Sequence, residues 1–512
     1  MSGRSPLNLA AADLGAESGR VVLGRFDGRR LALQEVHRFA NEPVQLGSRL
    51  HWDFLRLWLE LERGLAAARR AVGRPLDSVA VDTWGVDFAL FADSGELLGN
   101  PYHYRGLASE QAMQQAFSVM APRTLFELTA IQRMPINTLF QLVALKQSGS
   151  AVFQAARHLL MLPGAFTYLL SGERFDEFTS ASTSQLYDPR AGGWSRPILD
   201  AFGLPESLFA TVLQPGTVVG RLLGDLASRT GLAGTAVAFA AGHDTACAVA
   251  AVPAVAAQSP GGGTWAYISS GTWSLVGVEL PRPVITDAAY EANLSNEGGV
   301  FGTFRLLKNV MGLWLVQACR RQWAQEGQEF TYEELTGLAE AAPPRRCFID
   351  PDEPGFLRPG DPVGAIREFC RRTEQPAPEQ PGEVVRCILE SLALKYRWVI
   401  ERIEEVTSLR VDRIHVVGGG SRNGLLCQLT ADCSGRPVIA GPAEATAAGN
   451  LLLQAHALRE VGGLEELRAV VRDSFATRLY EPRREGAWEE AYRFFQLHVV
   501  AAPEPGRGGG AR

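Results

Sequence analysis

Apolar and polar positions alternate along the first forty residues in a strand–turn–strand–turn–strand pattern. Leu7–Asp13 is apolar, Leu14–Gly19 forms a glycine-bounded turn, and Val21–Phe26 is a returning strand. Asp27-Gly28 is a hairpin signal, after which Leu31–Phe39 alternates with period two. Apolar residues at 54, 55, 58, 59 and 61 predict a helix over Asp53–Arg70, with Asp53 placed to cap it. Pro75 and Asp77 end that helix before a buried strand expected over Ser78–Ala89, and Thr124–Leu145 and Ala155–Leu170 read as helical.

A similar order recurs from residue 264. Thr264–Ser269 reads as a strand, Ser270-Gly271-Thr272 as a turn, and Trp273–Leu280 as the returning strand. A long helix over Glu383–Val406 precedes a strand at Arg413–Val417, a loop at Gly418-Gly419-Gly420, and a helix from about Asn423 to Asp432. Two α/β halves that each open with a strand–polar turn–strand hairpin predict an internal duplication. The expected division is 1–247 and 248–490, meeting in the stretch around Gly242–Pro260, with a disordered Gly/Pro-rich tail at 501–512.

Composition narrows the functional classes. The net charge of -6 and the lack of a long basic run argue against nucleic acid or an anionic membrane as partner. Ala246–Ala257 is too short and too interrupted by Pro253 to span a bilayer. The seven cysteines contain no CxxC pair and read as buried reduced thiols, so a soluble cytoplasmic protein is expected. Against 47 arginines there are three lysines, Lys146, Lys308 and Lys395, and none follows a glycine. A Walker-A loop, which needs Gly-Lys-Ser/Thr, is therefore excluded. Val143–Lys146 imitates a protein-kinase lysine motif, but no HRD or DFG triplet follows.

Four polar constellations sit at strand ends, where α/β proteins place ligands. In Asp13–Arg20 a tight turn can cradle phosphate through backbone N–H groups, and Asp13 could hold hydrated Mg²⁺; a structural hairpin with a capping aspartate fits equally. Ser269–Ser274 is chemically alike without the acid, so two such turns could grip one polyphosphate. Val416–Gly424 joins strand, glycine loop and helix, a nucleotide-binding unit, yet Asn423 stands where the third glycine of GxGxxG would be. In Ala241–Thr245 the carboxylate of Asp244 could take a proton from an attacking hydroxyl, or merely cap the Ala-rich helix that follows. Asp82–Asp87, two acids and an indole, is a further candidate for binding sugar hydroxyls.

Taken together the motifs resemble the FGGY family of carbohydrate kinases. The resemblance is carried by Asp13–Arg20, DTWGVDF (82–88), NTLFQL (137–142), GHDTA (242–246), SSGTWS (269–274), NEGG (296–299), LKNVMGLWL (307–315), SLAL (391–394), Val417–Asn423 and Glu444–Asn450. It implies an α/β fold of two ribonuclease-H-like domains of the actin/hexokinase/heat-shock-ATPase superfold, with an interdomain active-site cleft. It also implies ATP and Mg²⁺, and L-rhamnulose as the sugar, indicated by NEGG followed by LKNVMGLWL; other ketoses or polyols are the alternative. By position, Asp244 corresponds to the catalytic base; Gly85, His243, Thr245 and Asn309 to the sugar site. Ala16, Glu17, Ser18, Gly19, Arg20, Thr272, Gln317 and Gly419 correspond to ATP contacts, and Asp13 to a water-mediated Mg²⁺ contact. A monomer or small homo-oligomer is implied. Two departures stand out: Gly106 and Gly164 occupy positions where relatives carry aspartates.

Overall fold

The computed structural model describes residues 6–107, 110–255, 263–357, 360–483 and 486–500. The expected tail at 501–512 and residues 256–260 of the expected junction lie outside the described residues. The chain packs as two compact units, and neither is contiguous. The first takes residues 1–262, 277–308 and 444–476; the second takes 263–276, 309–443 and 477–512. This partition differs from a single cut after residue 247, because two later segments pack with the N-terminal residues.

The first unit is organised by a six-stranded sheet. In sheet order its strands are Thr217–Arg221, Ala236–Phe239, Ser78–Thr83, Leu7–Leu14, Ser18–Phe26 and Leu31–Ala40. Leu7–Leu14 runs antiparallel to Ser18–Phe26 and parallel to Ser78–Thr83, placing Asp13 opposite Arg20 on one side and Asp82 on the other. The central strand is almost entirely small and apolar, and Leu9, Ala10, Ala11 and Ala12 are fully buried. Helix Phe54–Val72 begins at Asp53, whose side chain accepts the Arg56 N–H, and Gly64 lets it lie directly on Val21. Helix Ala445–Ala457 covers the opposite face, where Gly24 leaves room for Leu451.

In the second unit neighbouring strands run Trp265–Ser270, Arg413–Val417, Val438–Ala440 and Arg478–Tyr480. The two parallel pairings and the antiparallel edge repeat the pattern of Leu7–Leu14, Ser78–Thr83, Ala236–Phe239 and Thr217–Arg221. The same topology thus occurs twice, as a duplication requires. The long helix spans Pro381–Thr407, starting at a Gln380–Glu383 capping box.

Three expected elements are each divided in the structure. Ser78–Ala89 is not a single strand: it stops at Thr83, turns through Val86 at φ 67°, and restarts as Phe88–Phe91. Ala155–Leu170 is not one helix either, because His158–Met161 pairs as a strand with Phe88–Phe91 and the helix starts at Leu162. Short apolar runs carry no periodicity that separates buried strand from buried helix. Thr124–Leu145 likewise divides into Pro122–Thr129 and Thr138–Gln147 at Ala130, φ 59°. Lys146 lies in the second of these helices and donates to the Phe202 carbonyl at 2.7 Å, a structural role. All seven cysteines are buried and unpaired. Among the described residues no helix is long and apolar enough to cross a membrane.

Candidate active site

Parallel pairing of Leu7–Leu14 with Ser78–Thr83 sets Asp13 and Asp82 side by side at the carboxyl ends of their strands, both buried. Thr83 pairs next with His243, its N–H donating to the Gly242 carbonyl at 2.9 Å, so the chain after Ala236–Phe239 arrives beside the same strand end. Asp244 follows as the first residue of helix Asp244–Ala250. Three acidic side chains therefore converge at one strand end. Burial raises the pKa of Asp82 well above the usual carboxylate range, and the charges of Asp13 and Asp244 add to it, against the bond from Asn450. Asp244 is also raised, by burial first, and the charge of Asp13 adds to it.

Each acid has a different set of partners. Asp13 Oδ2 accepts two bonds from Arg20, at 2.9 and 2.7 Å, and Arg20 also reaches Glu444. Burial opposes the arginine's charge, yet Asp13 and Glu444 hold it more firmly cationic than usual. Asp82 Oδ2 accepts from Asn450 Nδ2 at 2.6 Å, and Gln454 in turn donates to Asn450 Oδ1 at 2.7 Å. Asp82 Oδ1 is buried without a hydrogen-bond partner. Asp244 Oδ1 accepts from the Thr245 backbone at 2.5 Å and its hydroxyl at 3.2 Å. Among the described residues no donor reaches Asp244 Oδ2. That oxygen, on a carboxylate made more basic by burial, can accept a proton.

The loop carrying Asp244 is held by a residue that the sequence does not single out. Glu177 is fully buried and accepts from Gly242 N at 2.7 Å, Thr179 N at 2.9 Å and Thr179 Oγ1 at 2.6 Å, while Thr179 Oγ1 accepts from His243 N at 3.1 Å. Burial raises its pKa and these bonds oppose the rise. Gly242 fits because a Cβ there would come within 2.8 Å of Glu177 Oε2. Gly85 lies in the turn after Thr83, where Val86 N donates to Thr183 Oγ1 at 3.0 Å. Gly85, His243, Thr245 and Asp244 are thus neighbours through the Thr83–His243 bridge. The adjoining turn is Gly15–Glu17, shorter than the expected Leu14–Gly19 because Leu14 and Gly19 already pair as strands; Gly15 N donates to Ser18 O at 3.0 Å and Gly19 leaves space filled by Phe39.

The two acids of Asp82–Asp87 have separate partners. Asp87 is buried and accepts from Trp52 Nε1 at 2.6 Å, Trp84 Nε1 at 2.9 Å, Tyr104 N at 3.2 Å and Gln141 Nε2 at 3.0 Å. Burial lifts its pKa to about 6 against those donors. Trp84 packs on Trp52, ring centroids 4.0 Å apart, inside the core. At Gly164 an added Cβ would fall 2.4 Å from Asp176 Oδ1, so a buried carboxylate from another strand already fills that space. A Cβ at Gly106 would meet the Leu50 carbonyl at 2.8 Å.

In the second unit, Gly271 and Thr272 carbonyls accept the N–H groups of Leu313 (3.0 Å) and Trp314 (3.1 Å), tying the 270–273 turn to the start of helix Trp314–Gln325. Gln317 lies one turn along, its Oε1 buried without a partner. Gly418 (φ 80°) and Gly420 press against Ser270, whereas a Cβ on Gly419 would meet nothing within 4 Å. Thr272, Gln317 and Gly419 are therefore brought to one end of this unit with an open side at Gly419. Asn309 lies in strand Phe304–Met311.

Two models of the FGGY family of carbohydrate kinases match, the N-terminal domain over residues 9–251 and the C-terminal domain over 266–458. A rhamnulokinase of Bacteroides thetaiotaomicron is 42% identical over 489 residues, covering 96% of this chain and 99% of its own length. Rhamnulokinases of Enterococcus faecalis (38%, covering 92% and 93%) and Bacillus subtilis (36%, covering 92% and 95%) are also similar. Among solved structures, a gluconate kinase from Lactobacillus acidophilus superposes with a TM-score of 0.78 at 14% identity, covering 96% of this chain and 97% of its own. A ligand-bound xylulose kinase from the same organism gives 0.77 at 15% identity, covering 96% of each chain. These structures share the fold.

Proposed function

This chain belongs to the FGGY family of carbohydrate kinases, and we propose that it transfers the γ-phosphoryl group of ATP to the C1 hydroxyl of L-rhamnulose, giving L-rhamnulose 1-phosphate and ADP. The observation that carries the reaction type is Asp244: a carboxylate of raised basicity, held through Oδ1, with Oδ2 open beside two further acids. The rhamnulokinases that align over nearly the whole chain support the choice of sugar.

In this reading Asp244 Oδ2 accepts the proton of the C1 hydroxyl as its oxygen attacks phosphorus, while Gly85, His243, Thr245 and Asn309 orient the sugar. Ala16–Arg20 hold phosphate oxygens by backbone N–H groups, and Thr272, Gln317 and Gly419 bind the nucleotide. Phosphoryl transfer asks mainly for alignment and neutralised charge, so little covalent chemistry is required of the protein. A hard divalent cation fits the donor set, because Asp82 Oδ1 is a buried oxygen without a partner next to Asp13. Mg²⁺ bound there would neutralise charge on the transferring phosphates. We assign Asp82, with Asp13, to the cation rather than to the sugar.

Coupled ADP release measured with L-rhamnulose, L-fuculose, D-xylulose, L-ribulose and glycerol tests the assignment. L-Rhamnulose is expected to give the highest kcat/KM. A higher value for another acceptor would overturn the sugar, and ADP release indifferent to any acceptor would overturn the kinase.

A further inference from the structure

A buried ion pair lies behind the proposed base. Strand Ser295–Gly298 runs antiparallel to strand Phe304–Met311, and their register sets Glu297 directly opposite Arg305. Both side chains are almost completely buried, with Arg305 Nη2 3.2 Å from Glu297 Oε2. A hydrogen bond from Arg305 Nε to the Gly298 carbonyl at 2.8 Å fixes the guanidinium plane. The same Nη2 lies 3.2 Å from Nδ1 of His243, which is itself buried and 3.3 Å from Glu297 Oε2. On the far side of the ring, His243 Nε2 faces Asp244 Oδ1 at 3.4 Å, an ion-pair distance rather than a hydrogen bond. Catalytic contacts are often this long before substrate binds.

Of the two groups facing Nδ1, Glu297 Oε2 stands at an ion-pair distance of 3.3 Å whereas the guanidinium is hydrogen-bonded to it, and that bond decides which nitrogen carries the proton. Arginine offers only N–H donors. A proton on His243 Nδ1 would set donor against donor at 3.2 Å, and an imidazolium would add cation against cation. A lone pair on Nδ1 instead accepts the arginine's N–H, which leaves the single ring proton on Nε2. We infer that Arg305 and Glu297 are positioning residues, which lock His243 as the neutral Nε2–H tautomer so that an N–H rather than a lone pair faces Asp244 Oδ1. Glu297 neutralises Arg305, so this cation can be buried beside the ring without placing a net positive charge behind the base. Thr245 N and Thr245 Oγ1 donate to Oδ1, the Nε2–H stands 3.4 Å from the same oxygen, and Oδ2 is left for the hydroxyl to be deprotonated. An imidazolium in the same place would lower the basicity of that carboxylate. This gives the Glu of the NEGG motif a task that involves no contact with substrate.

The consequence for catalysis rests on Asp244 being the base; the tautomer does not, and the test separates the two. Protein labelled with ¹⁵N-histidine is examined by long-range ¹H–¹⁵N correlation at neutral pH without sugar or ATP, with His243→Gln used to assign the resonance. The expected spectrum shows Nε2 protonated and Nδ1 bare. An Nδ1–H tautomer or an imidazolium at His243 overturns the inference, whatever the sugar assay gives. The double variant Arg305→Met/Glu297→Leu removes both charges together, since removing one alone would strand the other in the interior. It should release His243 into a mixture of tautomers and lower kcat by about 10-fold, with KM for ATP unchanged. A variant that keeps both the tautomer and kcat would also overturn it. If this variant does not fold, the spectrum of the parent protein still decides.

Discussion

Replacing Asp244 by asparagine changes one atom, and the structure separates its consequences. The amide oxygen can stand at Oδ1 and keep the bonds from Thr245 N and Thr245 Oγ1, so the loop and the start of helix Asp244–Ala250 retain their local contacts. What disappears is the acceptor at Oδ2. A general base contributes roughly 10²- to 10⁴-fold, about 3 to 5 kcal/mol of barrier, and kcat should fall by that factor in coupled ADP release. Stability should move the other way. Burial, joined by the charge of Asp13, raises the folded-state pKa of Asp244, so folding disfavours the ionised carboxylate above the unfolded-state pKa. At neutral pH the asparagine variant should therefore melt at the same temperature as the parent or higher, with unchanged affinity for ATP. The parent's kcat/KM should decline on the acid side as Asp244 protonates, and the variant's residual activity should lose that limb. A folded variant that retains turnover within 10-fold of the parent would refute the assignment, and a fall in melting temperature would show that the residue supports the fold instead.

Other outcomes test the surrounding framework. Asp82→Asn should raise the Mg²⁺ concentration for half-maximal activity by about 10-fold, as loss of a carboxylate at a cation site does; an unchanged Mg²⁺ titration would remove Asp82 from that role. Gly449→Ala should destabilise by about 3 kcal/mol in urea unfolding, because the new Cβ would lie 1.9 Å from the Cys247 carbonyl oxygen of the neighbouring helix. An unchanged midpoint would mean that the helices separate at no cost. All seven thiols are buried, and Cys347, lowered to about 4 by the S–H groups of Cys370 and Cys387, is shielded with the rest. Ellman's reagent should therefore find none in the native protein and seven after unfolding; rapid reaction of a native thiol would contradict the packing.

Much of this protein follows from its sequence because the relevant constraints are local. Period-two alternation and Asp27-Gly28 specify the first hairpin, Asp53 starts its helix, and the repeated strand–turn–strand order predicts the doubled topology that the two sheets possess. GHDTA likewise marks Asp244 by position, and the lack of any Gly-Lys pair excludes a P-loop before any coordinate is known. Side-chain partnerships between distant segments are not local, and sequence periodicity is silent about them. Asp82 and Asp87 are five residues apart in one motif, yet strand register sends the first to Asp13 and Asn450, and a turn at Val86 sends the second into a cage of indole and amide donors. Only the tertiary structure could join Arg20 to Glu444, Gly242 to Glu177, and His243 to Arg305 and Glu297. Each of those contacts depends on burial and on the pairing of segments tens to hundreds of residues apart. The sequence by itself determined which groups are available for phosphoryl transfer; packing decided which of them are charged, which are spent on structure, and which oxygen of Asp244 is left open to a proton.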